Sequence, residues 1–236
     1  GRCVGVRSFA ELGQQQKGSA LSLLSLPGLF GSSQEHRALA YPHLQADPHL
    51  IDHWRERLRL QADETLIGLN WHGSALQALS ERHSSDIPLS TFDGLSQLPR
   101  IKLLSLQKGI GQEQLEDCSF RDRFVDIQDE VNREQRLEHV AALMSLCRWV
   151  ISDDSGPAHL AGCLGVEGLV LLPERINWRW GSTEPDRSPW YPKLRLMRQR
   201  SNSGWDEIVA EATRWIADRL NPVQCDESGF NGTAFR

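Results

Sequence analysis

"ISDDSGPAHLAGCLG", residues 151–165, joins the end of an apolar strand to the start of an apolar helix. Ser155 or Asp154 can cap this helix, and Pro157 suits its first turn, where no backbone donor is needed. Gly156 leaves room for a ligand to approach the backbone. Because first-turn amides and the helix dipole both attract negative charge, the stretch predicts an anion site at the start of the helix.

His159 lies about one turn into the same helix, within reach of an oxygen bound at its start. A lone histidine in an apolar helix is more often a satisfied core residue, so both interpretations stay open. A Ser155–His159 hydrolase pair is disfavoured, because the sequence has no G-x-S-x-G elbow. Asp153 and Asp154 lack partner residues for a metal site, so we expect one to be a cap and the other to be solvated.

Short apolar segments alternate with amphipathic helices along most of the chain. The predicted strands are "TLIGLNW" (65–71), "IKLLSLQ" (101–107), "FVDIQ" (124–128), "WVISDD" (149–154), "GLVLLP" (168–173) and "LRLMRQ" (194–199). One predicted helix places Leu137, Val140, Met144 and Cys147 on a single face, and another does so with Ile208, Ala212, Trp215 and Ile216. Strands that are apolar throughout are typical of a sheet covered on both faces. The pattern predicts an α/β, Rossmann-like domain with a mostly parallel sheet and helices on both faces.

The chain divides into three parts by composition. Residues 1–62 mix short apolar patches with Gly, Ser and Gln, and we interpret them as a connecting region or a remnant of an N-terminal domain. Residues 63–220 form the predicted Rossmann-like domain. Residues 221–236 are expected to be a flexible tail.

Composition excludes several classes of function. A net charge of −5 gives no general attraction to nucleic acid or to an anionic membrane. No run approaches the roughly 20 apolar residues that a membrane span needs. The five cysteines are widely spaced and never form C-x-x-C, which favours a reduced, cytoplasmic setting and no zinc site.

Two further strand ends carry candidate ligand contacts. In open α/β sheets ligands bind beyond the carboxyl ends of the strands. Trp71 and Gly73 follow the first strand, where the indole could stack on a base or sugar, although a core position is the alternative. Lys108 follows the second strand beside two glycines, as a phosphate contact requires, although loop lysines are more often solvated.

Six motifs occur in the order found in one known family: "IGLNWHGS", "DIPLSTFDGL", "KLLSLQKG", "ALMSLCRWVISDDSGPAHLAGCLG", "LVLLPERINWRW" and "SPWYPKLRLMRQ". Over residues 64–220 the chain resembles the C-terminal half of GT-B glycosyltransferases of the bacterial type found behind tetratricopeptide repeats. That type is related to the ADP-heptose heptosyltransferases of glycosyltransferase family 9, and more distantly to O-linked N-acetylglucosamine transferases.

The resemblance implies a function and a set of site residues. The domain would bind a nucleotide-diphosphate sugar as the donor substrate, with no metal and no further cofactor. The acceptor, a glycan or a protein, would meet the donor across a cleft to a second Rossmann half. The donor-binding residues would be Trp71, Gly73, Gln107, Lys108, Asp154, Ser155, Gly156, Pro157 and His159. His159 is the candidate catalytic residue, and no general base is named, because relatives take it from the other half.

Departures from the family pattern keep alternatives open. Relatives commonly have Arg-Ser-Ile-Pro-Leu where this chain has Ser-Asp-Ile-Pro-Leu at residues 85–89, and they place a Lys or Arg shortly after the first strand, where this chain offers Arg82. An acid at Asp86 favours a non-catalytic nucleotide-sugar-binding module that retains the fold. A third interpretation, a scaffold, rests on Trp178, Trp180 and Trp190 being exposed. We expect a partner half or a repeat region to complete an active enzyme.

Overall fold

A five-stranded parallel sheet forms the centre of the protein. The computed structural model describes residues 41–73, 86–174, 178–181, 185–200 and 203–220. The strands are β1 (Thr65–Asn70), β2 (Ile101–Ser105), β3 (Trp149–Ser152), β4 (Gly168–Leu172) and β5 (Leu194–Arg198). Their spatial order is β2-β1-β3-β4-β5, and every neighbouring pair is parallel. The predicted parallel α/β sheet is therefore confirmed.

Helices cover both faces of this sheet. They are α1 (Pro48–Leu58), α2 (Asp93–Ser96), α3 (Gln128–Arg133), α4 (Leu137–Leu146), α5 (Gly156–Leu164) and α6 (Trp205–Leu220). Short 3₁₀ turns span Leu89–Phe92, Gln112–Leu115, Arg121–Arg123 and Trp178–Trp180. Within the described ranges, no helix has both the length and the apolar character that a bilayer crossing demands.

Alternate residues of each strand pack in two separate cores, because successive side chains point to opposite faces of the sheet. Ile67 and Leu69 pack in the cluster that holds Ile216 of α6, whereas Leu66 packs on the other face with residues of α1, α4 and α5. The strand interiors are buried on both sides, which explains their continuous apolar sequences.

Two details of the predicted elements are wrong. Residues 124–128 are not a strand: Phe124 makes a single bridge to Leu103, and α3 begins at Gln128. The Gln128 side chain instead pairs with the β2 backbone, accepting from Ser105 N at 2.9 Å and donating to Ser105 O at 3.1 Å. A side-chain amide thus occupies the edge that a sixth strand would cover. The second error concerns α4: Leu137 was predicted on the apolar face of this helix, but its side chain is 65% exposed, because it is the first helical residue.

Within residues 41–62, the described part of the predicted connecting region, the chain forms helix α1. This helix packs against α4. Trp54 and Leu58 are buried in the core cluster on that face. The Trp54 indole N–H donates to His139 Nδ1 at 3.2 Å. Residues 1–40 and 221–236 lie outside the described residues, so the predicted domain boundaries stay predictions.

Candidate functional site

The strand order reverses between β1 and β3. The chain runs from β1 outward to β2 on one side, and from β3 outward to β4 on the other. Loops that leave such a pair of strands diverge and open a crevice at their carboxyl ends, where ligands bind in open α/β sheets. The segments that begin at Trp71 and at Asp153 meet at this crevice.

A buried polar cluster holds these two segments together. Asn70, the last residue of β1, donates to Asp153 Oδ1 at 2.7 Å and to Ser155 Oγ at 3.0 Å. The Ser155 hydroxyl also donates to the Asp153 carboxylate, and Asp153 has no exposed surface. The sequence analysis does not predict this role for Asn70, although a polar residue at the end of an otherwise apolar strand is a signal for it.

Helix α5 begins at this cluster without a side-chain cap. Ser155 is the N-cap residue with extended backbone angles, as the sequence predicted, but its side chain makes no capping hydrogen bond. Its hydroxyl is engaged with Asn70 and Asp153 instead. Pro157 lies in the first turn, and the Ala158 N–H donates to the Ser155 carbonyl at 3.1 Å. The positive end of the helix dipole is therefore not compensated by the Ser155 hydroxyl.

Gly156 is the first residue of α5, and none of the residues that the structure describes requires a glycine there. A Cβ atom built on Gly156 meets no atom of the described residues within 4 Å, and its φ lies outside the left-handed region. Alanine in a helix is more favourable than glycine by up to about 1 kcal/mol. Among the described residues, neither packing nor backbone strain explains the missing side chain, which leaves open space beside the start of the helix.

The two consecutive aspartates are both buried, so the prediction that one of them is solvated is wrong. Asp154 is 9% exposed and accepts a hydrogen bond from the Trp180 indole at 2.7 Å. Its Oδ1 also lies 3.9 Å from Arg179 Nη2. Asp154 thus ties the start of α5 to the Trp178–Trp180 turn.

His159 lies in an aromatic cluster one turn into α5. Its ring stacks on Trp180 with centroids 4.7 Å apart and planes 12° apart, and its Nδ1 is 3.1 Å from the Tyr191 hydroxyl. The pKa of His159 is lowered, chiefly by burial and then by the positive charge of Arg179, while Asp154 opposes the shift. The imidazole is therefore neutral at pH 7, with one N–H donor.

Trp71 is a core residue. Its indole has no exposed surface, and its N–H donates to Gly111 O at 3.1 Å. A ring buried on all sides has no face on which a base or sugar can stack, so that prediction is wrong and the core alternative holds. Gly73 ends this described stretch, with its carbonyl 2.8 Å from His72 Nδ1.

Gln107 links the loop after β1 to the loop after β2. Its Oε1 accepts from the backbone N–H groups of Trp71 and His72, at 3.1 Å and 2.9 Å. Its Nε2 donates to the carbonyls of His72 and Ile110, at 3.0 Å and 2.8 Å. A side chain with these four contacts and 2% exposure fixes the shape of the crevice wall.

Lys108 is engaged at the end of a helix. Its ammonium group donates to the carbonyls of Val131 and Asn132, at 2.5 Å and 3.3 Å, at the carboxyl end of α3. Burial lowers the pKa of this ammonium group. The lysine compensates the negative end of the α3 dipole, which is a structural role that the sequence did not suggest.

The structure also locates the tryptophans that were predicted to be exposed and the acidic residue Asp86. Trp180 is fully buried and Trp190 is half-buried, so the expectation of exposed tryptophans is wrong for Trp180; the Trp178 side chain lies outside the described residues. Asp86 contacts His72, with Oδ1 3.2 Å from Nε2. Arg82 and Ser85 lie outside the described residues.

A groove of about 800 Å³ lies at the opposite edge of the sheet, where the strands begin. Arg148, Glu167 and Arg195 are among its lining residues, and no predicted site residue lines it. Because ligands of open α/β sheets bind at the carboxyl ends of the strands, the volume of this groove does not locate the site. Among the described residues, no group of three acidic, histidine or cysteine side chains could hold a metal ion, and metal independence stays an expectation.

Comparison with known proteins gives structural neighbours only. No family model and no curated protein matches the sequence. The glycosyl transferase family 9 structure from Veillonella parvula DSM 2008 superposes with a TM-score of 0.54 at 16% identity, covering 75% of this chain and 54% of that one. The E. coli ADP-heptose LPS heptosyltransferase II superposes with a TM-score of 0.53 at 17% identity, covering 78% and 54%. This chain spans about half the length of each. The protein therefore has a fold of the family 9 glycosyltransferase and heptosyltransferase type.

Proposed function

We propose that this chain is the donor-binding half of a glycosyltransferase that uses a nucleotide-diphosphate sugar without a metal. The observation that carries the proposal is the space at Gly156 that is open among the described residues, at the start of α5. A diphosphate placed there meets the Gly156 N–H and the positive end of the helix dipole, whereas Pro157 has no N–H and the Ala158 N–H donates to the Ser155 carbonyl. The same groups stabilise the negative charge that develops on the diphosphate as the sugar–phosphate bond breaks.

The surrounding residues have distinct roles in this proposal. Asn70, Asp153 and Ser155 hold the loop before α5 in position through the buried cluster. His159, neutral at pH 7, is the candidate to donate a hydrogen bond to an oxygen of the leaving group. The general base and the acceptor site belong to a second half, supplied by a longer polypeptide or by a partner.

The structural neighbours support the reaction class. The Veillonella parvula protein is a family 9 glycosyl transferase, and the E. coli protein is an ADP-heptose heptosyltransferase. Because identities of 16% and 17% reflect fold alone, the nucleotide and the sugar of this chain are left open.

A non-catalytic nucleotide-sugar-binding module is the second candidate. Asp86 contacts His72 next to the crevice wall, and Lys108 contacts the carboxyl end of α3. Both side chains lie in segments that resemble the family's phosphate-binding segments, and both make contacts within the protein instead. Transfer of a labelled sugar by the protein together with its second half would exclude this candidate.

Calorimetric titration with UDP, ADP, GDP and CMP tests the proposal. We expect saturable binding of one diphosphate, and an affinity at least about tenfold lower for Gly156→Ala, because a methyl group takes the space of the phosphate. Gly156→Ala should keep or raise the thermal stability, since alanine favours the helix.

Gly94→Ala is the matched control. Gly94 is a helical glycine on α2, where a Cβ makes only ordinary contacts, the nearest at 3.7 Å from Thr213. The Gly94→Ala variant should bind the nucleotide with the same affinity as the unaltered chain. Failure of the folded, unaltered chain to bind any of the four nucleotides would contradict the proposal.

A further inference from the structure

The diphosphate of a bound nucleotide requires a cation that Lys108 does not supply in this structure. The Lys108 ammonium contacts the carbonyls at the end of α3, and its burial disfavours the charged form. A helix N-terminus carries only about half a positive charge, whereas a diphosphate carries two or more negative charges. A second positive group near the start of α5 is therefore needed for tight binding.

Arg179 is a cation at the start of α5. It lies in the Trp178–Trp180 turn, and its Nη2 is 3.9 Å from Oδ1 of Asp154, the residue directly before the N-cap Ser155. Its side chain is 30% exposed, so Arg179 is half-buried at the surface of the protein beside Asp154.

The backbone of Arg179 is held from both sides. The Arg179 carbonyl accepts from the Trp190 indole at 2.7 Å. The next residue, Trp180, is fully buried, and its carbonyl lies 3.3 Å from Arg198 Nη2. These two contacts fix the backbone position from which the Arg179 side chain extends.

Arg179 and His159 also share one electrostatic environment. The charge of Arg179 is the second cause of the lowered pKa of His159, after burial. The ring of His159 stacks on Trp180, the neighbour of Arg179. The guanidinium group therefore lies close enough to the imidazole for its charge to act on it.

We propose that Arg179 binds the diphosphate of the nucleotide at the start of α5, in the phosphate-contact role that the sequence pattern suggested for Lys108. This inference rests on the proposed donor site. The planar guanidinium group offers paired N–H donors that match two phosphate oxygens, which a lysine does not. Asp154 Oδ1 accepts from the Trp180 indole and lies 3.9 Å from the guanidinium group, so Asp154 keeps the turn that carries Arg179 beside the start of α5.

The test compares a diphosphate and a monophosphate of one nucleoside. The nucleoside is the one whose diphosphate binds best among UDP, ADP and GDP. We expect Arg179→Ala to lower the affinity for the diphosphate by about tenfold or more, and that for the monophosphate by clearly less. Arg179→Lys should restore part of the difference, because it restores the charge without the paired donors.

Arg214→Ala is the matched control, since Arg214 is an exposed arginine on α6. Arg179→Gln provides a second neutral variant if Arg179→Ala does not fold. The inference is overturned if a folded neutral variant keeps the ratio of the two affinities unchanged, whether both affinities stay as they were or both fall by the same factor. If the unaltered chain still binds the diphosphate in that case, the proposed function stands; if it binds no nucleotide, both proposals are contradicted.

Discussion

At the scale of single residues, His159 combines a packing role with a chemical one. Its ring fills the space between Trp180 and Tyr191, and Nδ1 meets the Tyr191 hydroxyl. Burial, followed by the charge of Arg179, keeps its pKa below the usual value. A residue held neutral in this way can donate to an anionic leaving group at neutral pH, but it makes the fold sensitive to acid.

Substituting His159 by Gln should flatten the dependence of stability on acid pH. Because the pKa is lowered in the folded chain, the unfolded chain takes up this proton more readily. Proton uptake by this residue has no effect on stability above its unfolded pKa of about 6.5, and it destabilises the fold increasingly as the pH falls from there to the folded-state pKa. Thermal melts between about pH 8 and about pH 5 should show a larger loss for the unaltered chain than for His159→Gln.

His49→Gln, at an exposed histidine of α1, controls for the general effect of removing an imidazole. Its melting temperatures should run parallel to those of the unaltered chain over the same range. Parallel curves for His159→Gln as well would mean that protonation of His159 does not oppose folding.

At the scale of elements, the buried side chain of Trp54 attaches α1 to the sheet domain. Trp54 is 2% exposed, packs edge-to-face on His139 and donates its indole N–H to that ring. The sequence suggested only that Leu50, Trp54 and Leu58 share a helical face. Packing against α4 makes α1 part of the folded domain.

Trp54→Ala should lower the free energy of unfolding by about 3–5 kcal/mol, the usual effect of deleting a buried indole. Trp54→Phe should have a smaller effect, since it retains most of the ring and loses the hydrogen bond. Chemical denaturation measures both. Leu44→Ala, at a side chain that is 49% exposed, should change stability by less than about 0.5 kcal/mol. An unchanged midpoint for Trp54→Ala would show that α1 unfolds independently of the sheet.

Element types were more predictable than their side-chain contacts. Five apolar segments are strands because burial on both faces selects such sequences, whereas segment 124–128 has the same composition but one bridge to the sheet. Local pattern does not reveal that the distant Gln128 amide pairs with β2. In the same way, α4 is apolar on most sides, so periodicity alone did not identify Leu137 as exposed.

At the scale of the whole molecule, the location of the site was more predictable than the roles of its residues. Parallel strands place their carboxyl ends on one edge, so the loops after β1, β2 and β3 were expected to meet. Long-range contacts then decide what each side chain does: Trp71 is in the core, Gln107 links two loops, and Lys108 contacts α3. Arg179 comes close to Asp154 only through tertiary folding, which no spacing in the sequence indicates.

The central claim is that a nucleotide diphosphate binds at the start of α5, and backbone amide NMR shifts test it most directly. The isotope-labelled chain would be titrated with the diphosphate identified by calorimetry. We predict the largest shifts at the amides of Gly156 and Ala158, and none beyond noise at Glu167 or Arg195 in the groove at the opposite edge. Shifts centred on Glu167 and Arg195, or saturation without any change at Gly156, would contradict the account.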